Sequence, residues 1–219
     1  MFALALIAAG GVMIGLGELI THAWVHVWPF TAEDGVNRTL AAHRTPLLND
    51  VTGVFSTGAS TVYAIGATAV AMLVAWFVFR GWREPLFLGG TIAVEASVFL
   101  ATTLVVNRSR PLVAHLDAAP PTSSFPSGHT AAAVALYGGI ALLASRAGGK
   151  WPVWLLILIP LAVGGSRLYR GMHHPTDVLA ALILGTVALL IMRRAVLTAP
   201  STARTRSMVP AVSRSESAS

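Results

Sequence analysis

The chain has 219 residues, 55% of them hydrophobic and only 11% charged, with a formal net charge of +6 and a mean hydropathy of +0.70. Soluble domains carry about 25% charged residues, so this composition excludes an ordinary water-soluble domain and describes one polytopic membrane domain. The absence of cysteine excludes a disulfide framework and a thiolate metal site, and the positive charge, with no basic run interleaved with aromatics, reads as membrane topology rather than nucleic-acid binding.

The first apolar run, Phe2 to Trp28, exceeds the ~20 residues that cross the hydrocarbon and begins without Lys or Arg, so it reads as a retained span rather than a signal peptide. Near its end Glu18, His22 and His26 recur four apart, which stacks them on one helical face. The expectation is a polar stripe near the interface or inside the bundle, with a metal site as the alternative. Pro29 to Ser60 is less apolar, and Val36, Leu40, Leu47 and Leu48 recur at roughly helical spacing, which predicts one amphipathic helix on the membrane surface. Such a helix either shapes entry to a site or is a plain connector.

Thr61 to Phe79 is the second predicted span, Arg80 to Glu84 a short link, and Pro85 to Val106 the third span, with Pro85 suited to the first helical turn. Glu95 sits near the middle of that third span, where an ionised carboxylate is costly, so it is expected protonated or paired inside the bundle, with proton supply as a lesser possibility. Thr130 to Ala144 is a short fourth span, Arg146 to Lys150 a link, Trp151 to Gly165 a fifth span kinked at Pro160, and Pro175 to Met192 the sixth. The expected fold is therefore all-α: a polytopic bundle of six transmembrane helices plus a surface helix between the first and second. It occupies residues 1–198, and 199–219, rich in Ser, Thr, Ala and Arg, is expected to be a disordered cytoplasmic tail. With the N-terminus inside, nine Lys and Arg fall on inner segments (Arg80, Arg83, Arg146, Lys150, Arg193, Arg194, Arg204, Arg206 and Arg214) and six on outer ones (Arg38, Arg44, Arg108, Arg110, Arg167 and Arg170), which places both termini in the cytoplasm.

Three polar pieces interrupt the apolar runs: NRSRP at Asn107 to Pro111, FPSGH at Phe125 to His129, and SRLYRGMHHPTD at Ser166 to Asp177. In the predicted topology all of them sit on the ends of spans three to six that share the outer face. In order and spacing they resemble the signature of the type 2 phosphatidic acid phosphatase superfamily: Lys, six residues, Arg-Pro; then Pro-Ser-Gly-His; then Ser-Arg, five residues, His, three residues, Asp. Arg110-Pro111, Pro126 to His129, and Ser166, Arg167, His173 and Asp177 match it. Thr103, seven residues before Arg110, stands where the family has Lys.

Hydrolysis of a phosphate ester needs a nucleophile, an acid for the leaving oxygen and fixed positive charge around the phosphoryl oxygens. His173 is the expected nucleophile, forming a phosphohistidine. Asp177, in the first turn of the sixth helix, is expected to reach back to the His173 ring and fix its tautomer. His129 is the expected general acid and base. Ser127 and Gly128, opening the fourth helix, and Arg110 and Arg167 are expected to hold the phosphate. His174 is given a minor role, while Arg108 and Arg170 are expected to line the mouth of the site or meet lipid headgroups, with Arg108 as the candidate replacement for the missing Lys at Thr103. The resemblance implies these same roles, and it also implies no metal and no other cofactor.

The expected function is that of an integral-membrane, metal-independent phosphatase acting on a lipid phosphate in the bilayer. An undecaprenyl or other polyprenyl diphosphate comes first as substrate, and phosphatidic acid or phosphatidylglycerol phosphate second. A haloperoxidase-like oxidase is disfavoured by the spans. The absent Lys alone supports a catalytically silent lipid-binding or transport protein. Alanine-rich, lysine-poor composition points to a bacterial inner membrane, with the site facing the periplasm. Neither the lipid tail nor the oligomeric state is legible.

Overall fold

The computed structural model describes residues 2–149 and 153–198, and all the regular structure among them is helical. The expected tail, 199–219, and Lys150, Trp151 and Pro152 lie outside the described residues. Helix α1, Phe2–Glu18, runs into a π-helical turn, Leu19–Ala23. That turn ends the helix before His26, so the expected three-residue stripe does not form. Only His22 faces Glu18, at 3.5 Å in an exposed pair, and no metal-ligand cluster is found among the described residues.

The segment expected to hold one surface helix holds two, α2, Glu33–Ala42, and α3, Pro46–Gly58. Thr45 has an extended backbone, accepts a hydrogen bond from the Leu48 N–H at 3.3 Å, and is followed by Pro46 in the first helical turn. This N-cap and proline pair starts a new helix there. What α2 buries is polar, Glu33 and Asn37, whereas Val36, Leu47 and Leu48 are exposed.

Five long helices follow or complete the bundle: α4, Thr61–Phe79; α5, Arg83–Val105; α6, Gly128–Arg146; α7, Val153–Tyr169; and α8, Pro175–Met192, which continues as a π-helical turn, Arg193–Leu197. Phe2–Ala23, Thr61–Phe79, Arg83–Val105, Gly128–Arg146 and Pro175–Leu197 are long and apolar enough to cross a membrane. The protein is thus a multi-pass membrane protein. The helix at the predicted fifth span is α7, whose described apolar run, Leu156–Tyr169, is shorter than the other five. At ~1.5 Å per residue such a run reaches about 21 Å, less than the ~30 Å hydrocarbon.

The bundle is centred on α5, α6 and α8. Val98, Ala131, Ala181 and Leu184 pack with Met13, Val106 and Phe125 near one end, and Phe87, Leu88, Leu143, Ala188 and Met192 near the other. Small residues set the closeness of approach: a Cβ on Gly185 of α8 would lie 2.5 Å from Val134 Cβ and 2.7 Å from the Ala131 carbonyl of α6. Membrane helices associate through such residues because lipid supplies no hydrophobic drive between them. Large apolar side chains such as Leu4, Val62 and Leu104 point outward, where acyl chains replace water as their solvent.

Residues 106–127, between α5 and α6, fold over one end of the bundle. Ser124 donates its N–H to Arg108 O and its hydroxyl to Ser109 O, both at 2.9 Å. The Leu116 N–H reaches Arg170 O and the Ser127 N–H reaches Asp177 O, each at 3.1 Å. These bonds bring the three polar pieces of the sequence together at the ends of α5, α6, α7 and α8.

Candidate active site

A cavity of about 630 Å³ opens at this end, lined by Arg110, Gly128, His129, Arg167 and His173 on one side and by Ile92, Glu95, Ala96, Phe99 and Leu100 of α5 on another. The three sequence pieces deliver four residues from separate elements: Arg110 from the long loop, His129 from the first turn of α6, Arg167 from the last turns of α7, and His173 from the turn before α8.

His173 is 4% exposed. Its Nδ1 lies 2.7 Å from the Ser124 carbonyl. A carbonyl only accepts, so Nδ1 carries the proton and Nε2 keeps its lone pair. This differs from the expected arrangement, in which Asp177 sets the tautomer. Asp177 Oδ2 is 3.8 Å from His173 Nδ1 and instead accepts the His174 N–H at 2.8 Å, one turn back from its place in the first turn of α8. Burial lowers the His173 pKa below the ordinary 6.5, and the Asp177 carboxylate opposes that shift. Asn37 of α2 holds the His173 carbonyl at 3.0 Å.

The two arginines are each half engaged. Arg110 donates Nη1–H to the Met172 carbonyl at 2.8 Å, and Arg167 donates Nη1–H to Asp117 Oδ2 at 2.6 Å and to the Ser56 hydroxyl. Among the described residues, the Nε of each is buried with no hydrogen-bond partner. Burial also pulls Arg110 down from its usual pKa, against the nearby Asp177 charge, yet a guanidinium stays charged.

Asp117 was not singled out by the sequence, although it is the only acidic residue between NRSRP and FPSGH. Its carboxylate lines the cavity and binds Arg167, Ser56 at 2.8 Å and Arg170 at 2.7 and 2.9 Å. Burial opposes its charge, but hydrogen bonds from Arg170 and Ser56 and the charges of Arg167 and Arg170 bring its pKa down to about 2.

Three expectations, for Ser127, Arg108 and Arg170, are corrected by position. Ser127 is fully buried, donates its N–H to Asp177 O and shares a 3.0 Å hydroxyl contact with Thr130, so it does not line the cavity. Arg108 is not at the mouth: it is 9% exposed and binds Glu33 Oε2 at 2.6 Å, Thr176 Oγ1 at 2.7 Å and Asp177 Oδ1. It therefore supplies no free charge in place of the missing Lys. Arg170 likewise is spent on Asp117, Asn49 O, Thr52 and Leu116 O. Gly128 lines the cavity as expected, and a Cβ there would also meet the Phe99 ring at 2.9 Å.

Thr103 is half-buried on α5, bonds its hydroxyl to Leu100 O at 3.1 Å and does not line the cavity. His174 points at Asp34 (3.5 Å) and Asp177 (3.3 Å) rather than into the cavity.

The PAP2 superfamily model matches residues 84–200. The chain is 34% identical over 133 residues to undecaprenyl-diphosphatase BcrC of Bacillus subtilis, an alignment covering 58% of this chain and 66% of that protein. It is 27% identical to phosphatidylglycerophosphatase B of the same organism, over 74% of this chain and 82% of that protein. The fold is similar to the crystal structure of a transmembrane PAP2-type phosphatidylglycerolphosphate phosphatase from Bacillus subtilis, with TM-score 0.77 and 21% identity, covering 90% of this chain and 98% of that one.

Proposed function

The chain belongs to the PAP2 superfamily, and on that premise we propose that it is a membrane lipid phosphatase working through His173. The observation that carries this reading is the convergence of His129, His173, Arg110 and Arg167, from four separate elements, on one cavity. Two imidazoles that can attack and pass a proton, beside two guanidiniums that can bind phosphoryl oxygens, are the groups that phosphoryl transfer needs.

The His173 Nε2 lone pair attacks phosphorus while the bond to the leaving oxygen breaks, and His129 gives that oxygen its proton. Arg110 and Arg167 hold the equatorial oxygens, where charge builds up, and the first turn of α6 turns its free N–H groups toward them. A lipid alcohol leaves from a monoester, or a lipid monophosphate from a diphosphate. His129, now neutral, takes a proton from water as the water oxygen attacks the phosphohistidine. The P–N bond breaks, inorganic phosphate departs, and both imidazoles are restored. No step uses a metal.

A polyprenyl diphosphate is the first substrate proposed, supported by the likeness to BcrC, with phosphatidylglycerol phosphate or phosphatidic acid second, supported by the likeness to phosphatidylglycerophosphatase B. The apolar part of the cavity beside Phe99 and Leu100 suits the start of a lipid tail. The alanine-rich, lysine-poor composition supports a bacterial inner membrane location, and the distribution of Lys and Arg supports six crossings with α7 as the short one, the site facing outward and both termini in the cytoplasm.

Phosphate release by detergent-solubilised protein, with chelator present and over a panel of these lipids, tests the reading. His173→Ala is expected to abolish release, and an unchanged rate excludes this nucleophile. A wild-type chain silent on the whole panel favours a lipid-binding protein instead.

A further inference from the structure

Ile92, Glu95, Ala96, Phe99 and Leu100 recur at helical spacing on α5 and together form its cavity-facing stripe. Four of the five are apolar. The fifth, Glu95, is 3% exposed, and among the described residues no hydrogen bond or ion pair reaches its carboxyl group. The catalytic steps above make no use of it.

Position sets what it can touch. Phe99 packs on Gly128, at the level where α6 begins and the phosphate donors converge. Glu95 lies one turn deeper on α5, about 6 Å at the usual helical rise, on the side where a lipid tail would run. An uncompensated carboxylate is costly in such a wall, which leaves the neutral acid as the form that faces a ligand. That form offers one O–H donor and one carbonyl acceptor. A bare hydrocarbon tail satisfies neither. An oxygen on the leaving-group side of the scissile phosphoryl does.

We propose that Glu95 forms a subsite on the tail side of the scissile phosphoryl group, where its carboxyl group hydrogen-bonds an oxygen carried by the leaving group. The oxygen is a phosphoryl oxygen when the substrate is a lipid diphosphate, and a glycerol hydroxyl or ester carbonyl when it is a glycerolipid phosphate. Glu95 is then a specificity-determining residue for the site whose function is proposed above, and the inference rests on that reading.

The test compares wild type, Glu95→Gln and Glu95→Leu on farnesyl diphosphate, phosphatidic acid and farnesyl monophosphate, whose leaving group is hydrocarbon beyond the bridging oxygen. Glu95→Leu is expected to lose about tenfold in kcat/KM, the worth of one hydrogen bond, on the substrate class that the subsite reads, and to stay within about twofold of wild type on farnesyl monophosphate. Loss on the diphosphate alone assigns the oxygen to a phosphoryl group, and loss on phosphatidic acid alone assigns it to glycerol. Glu95→Gln, which keeps a donor and an acceptor, is expected to retain most activity. An equal fall on all three substrates, no fall on either oxygen-bearing one, or a Glu95→Leu protein that no longer folds overturns the proposal, because an unpartnered carboxyl has no packing role that Leu cannot fill. Wild-type turnover and its loss in His173→Ala report separately on the phosphatase reading.

Discussion

Arg108 and Arg167 bring the same charge to the same end of the bundle and differ in what their partners leave free. Arg108 divides its guanidinium between Glu33 and Asp177, so its charge is neutralised where it stands. Arg167 shares one carboxylate, Asp117, with Arg170 and keeps its Nε–H unpartnered. Replacing it by Lys preserves the charge, but one ammonium does not hold Asp117 and present a second edge to a phosphate. A charge-assisted hydrogen bond is worth about 1.5–3 kcal/mol, so Arg167→Lys is expected to lower kcat/KM roughly 10- to 100-fold in the release assay. His173 governs the acid side of the pH profile. Attack needs its neutral ring, and burial lowers its pKa against the pull of Asp177, with the Arg167 and Arg110 charges acting in the same direction as burial. The acid limb of kcat/KM, corrected for the substrate's own ionisation, is therefore expected below the ordinary histidine value of 6.5. Stability follows the same sign. The unfolded chain takes up the His173 proton first, so its contribution is complete above about 6.5 and is lost as pH falls below it. Asp117, held at about 2, is protonated first in the unfolded chain as well, and its contribution fades as pH drops below the usual carboxylate range. Melting temperatures of wild type and His173→Gln against pH separate the two, because the variant is expected to show a smaller upper step and an unchanged lower one.

Among the elements, α2 does the most that the sequence did not announce. Its N-terminal Glu33 accepts the Thr176 N–H at 2.7 Å and pairs with Arg108, and Asn37 holds the backbone of His173. It thereby braces the start of α8 and the turn that carries His173. Glu33→Ala leaves Arg108 without one of its two carboxylates and the Thr176 N–H without its acceptor. Breaking a buried pair from one side costs about 3–5 kcal/mol, and a fall in stability of that order is expected in denaturant titrations of the solubilised protein, accompanied by lower activity. An unchanged midpoint would show that α2 merely lies beside the site. Spacing of Val36, Leu40, Leu47 and Leu48 correctly marked this segment as amphipathic, and the exposed apolar face agrees. It was read as one helix because apolar periodicity carried across the Thr45-Pro46 restart, whose cap and proline were the local signal to split it. The spans were legible because lipid imposes long apolar runs. The end of α1 was not, because a π turn changes the register without changing composition.

At the scale of the whole molecule, the site was legible as a set of residues but not as a network. Spacing along the chain identified His129, His173, Arg110 and Arg167, which the fold does bring to one cavity. It carried no information on which donors are already spent, and so mistook the surroundings of Ser127, Arg108 and Arg170. Those partners come from segments 50 to 121 residues away, beyond any local pattern. The same network bears on orientation. Of the six arginines assigned outside, Arg44, Arg108, Arg110, Arg167 and Arg170 are all hydrogen-bonded into the site end. Their presence there is explained by the site, which leaves the nine Lys and Arg assigned inside by sequence as the topological signal. Because the chain has no cysteine, single substitutions read orientation without background. Ala119 is exposed in the loop that covers the site, and Ala147 is exposed in the turn after α6 at the opposite end. A membrane-impermeant maleimide applied to intact spheroplasts is expected to label Ala119→Cys and to reach Ala147→Cys only after permeabilisation. The opposite pattern would put the site on the cytoplasmic face, where the phosphatase would draw on inner-leaflet lipid and release its phosphate into the cell.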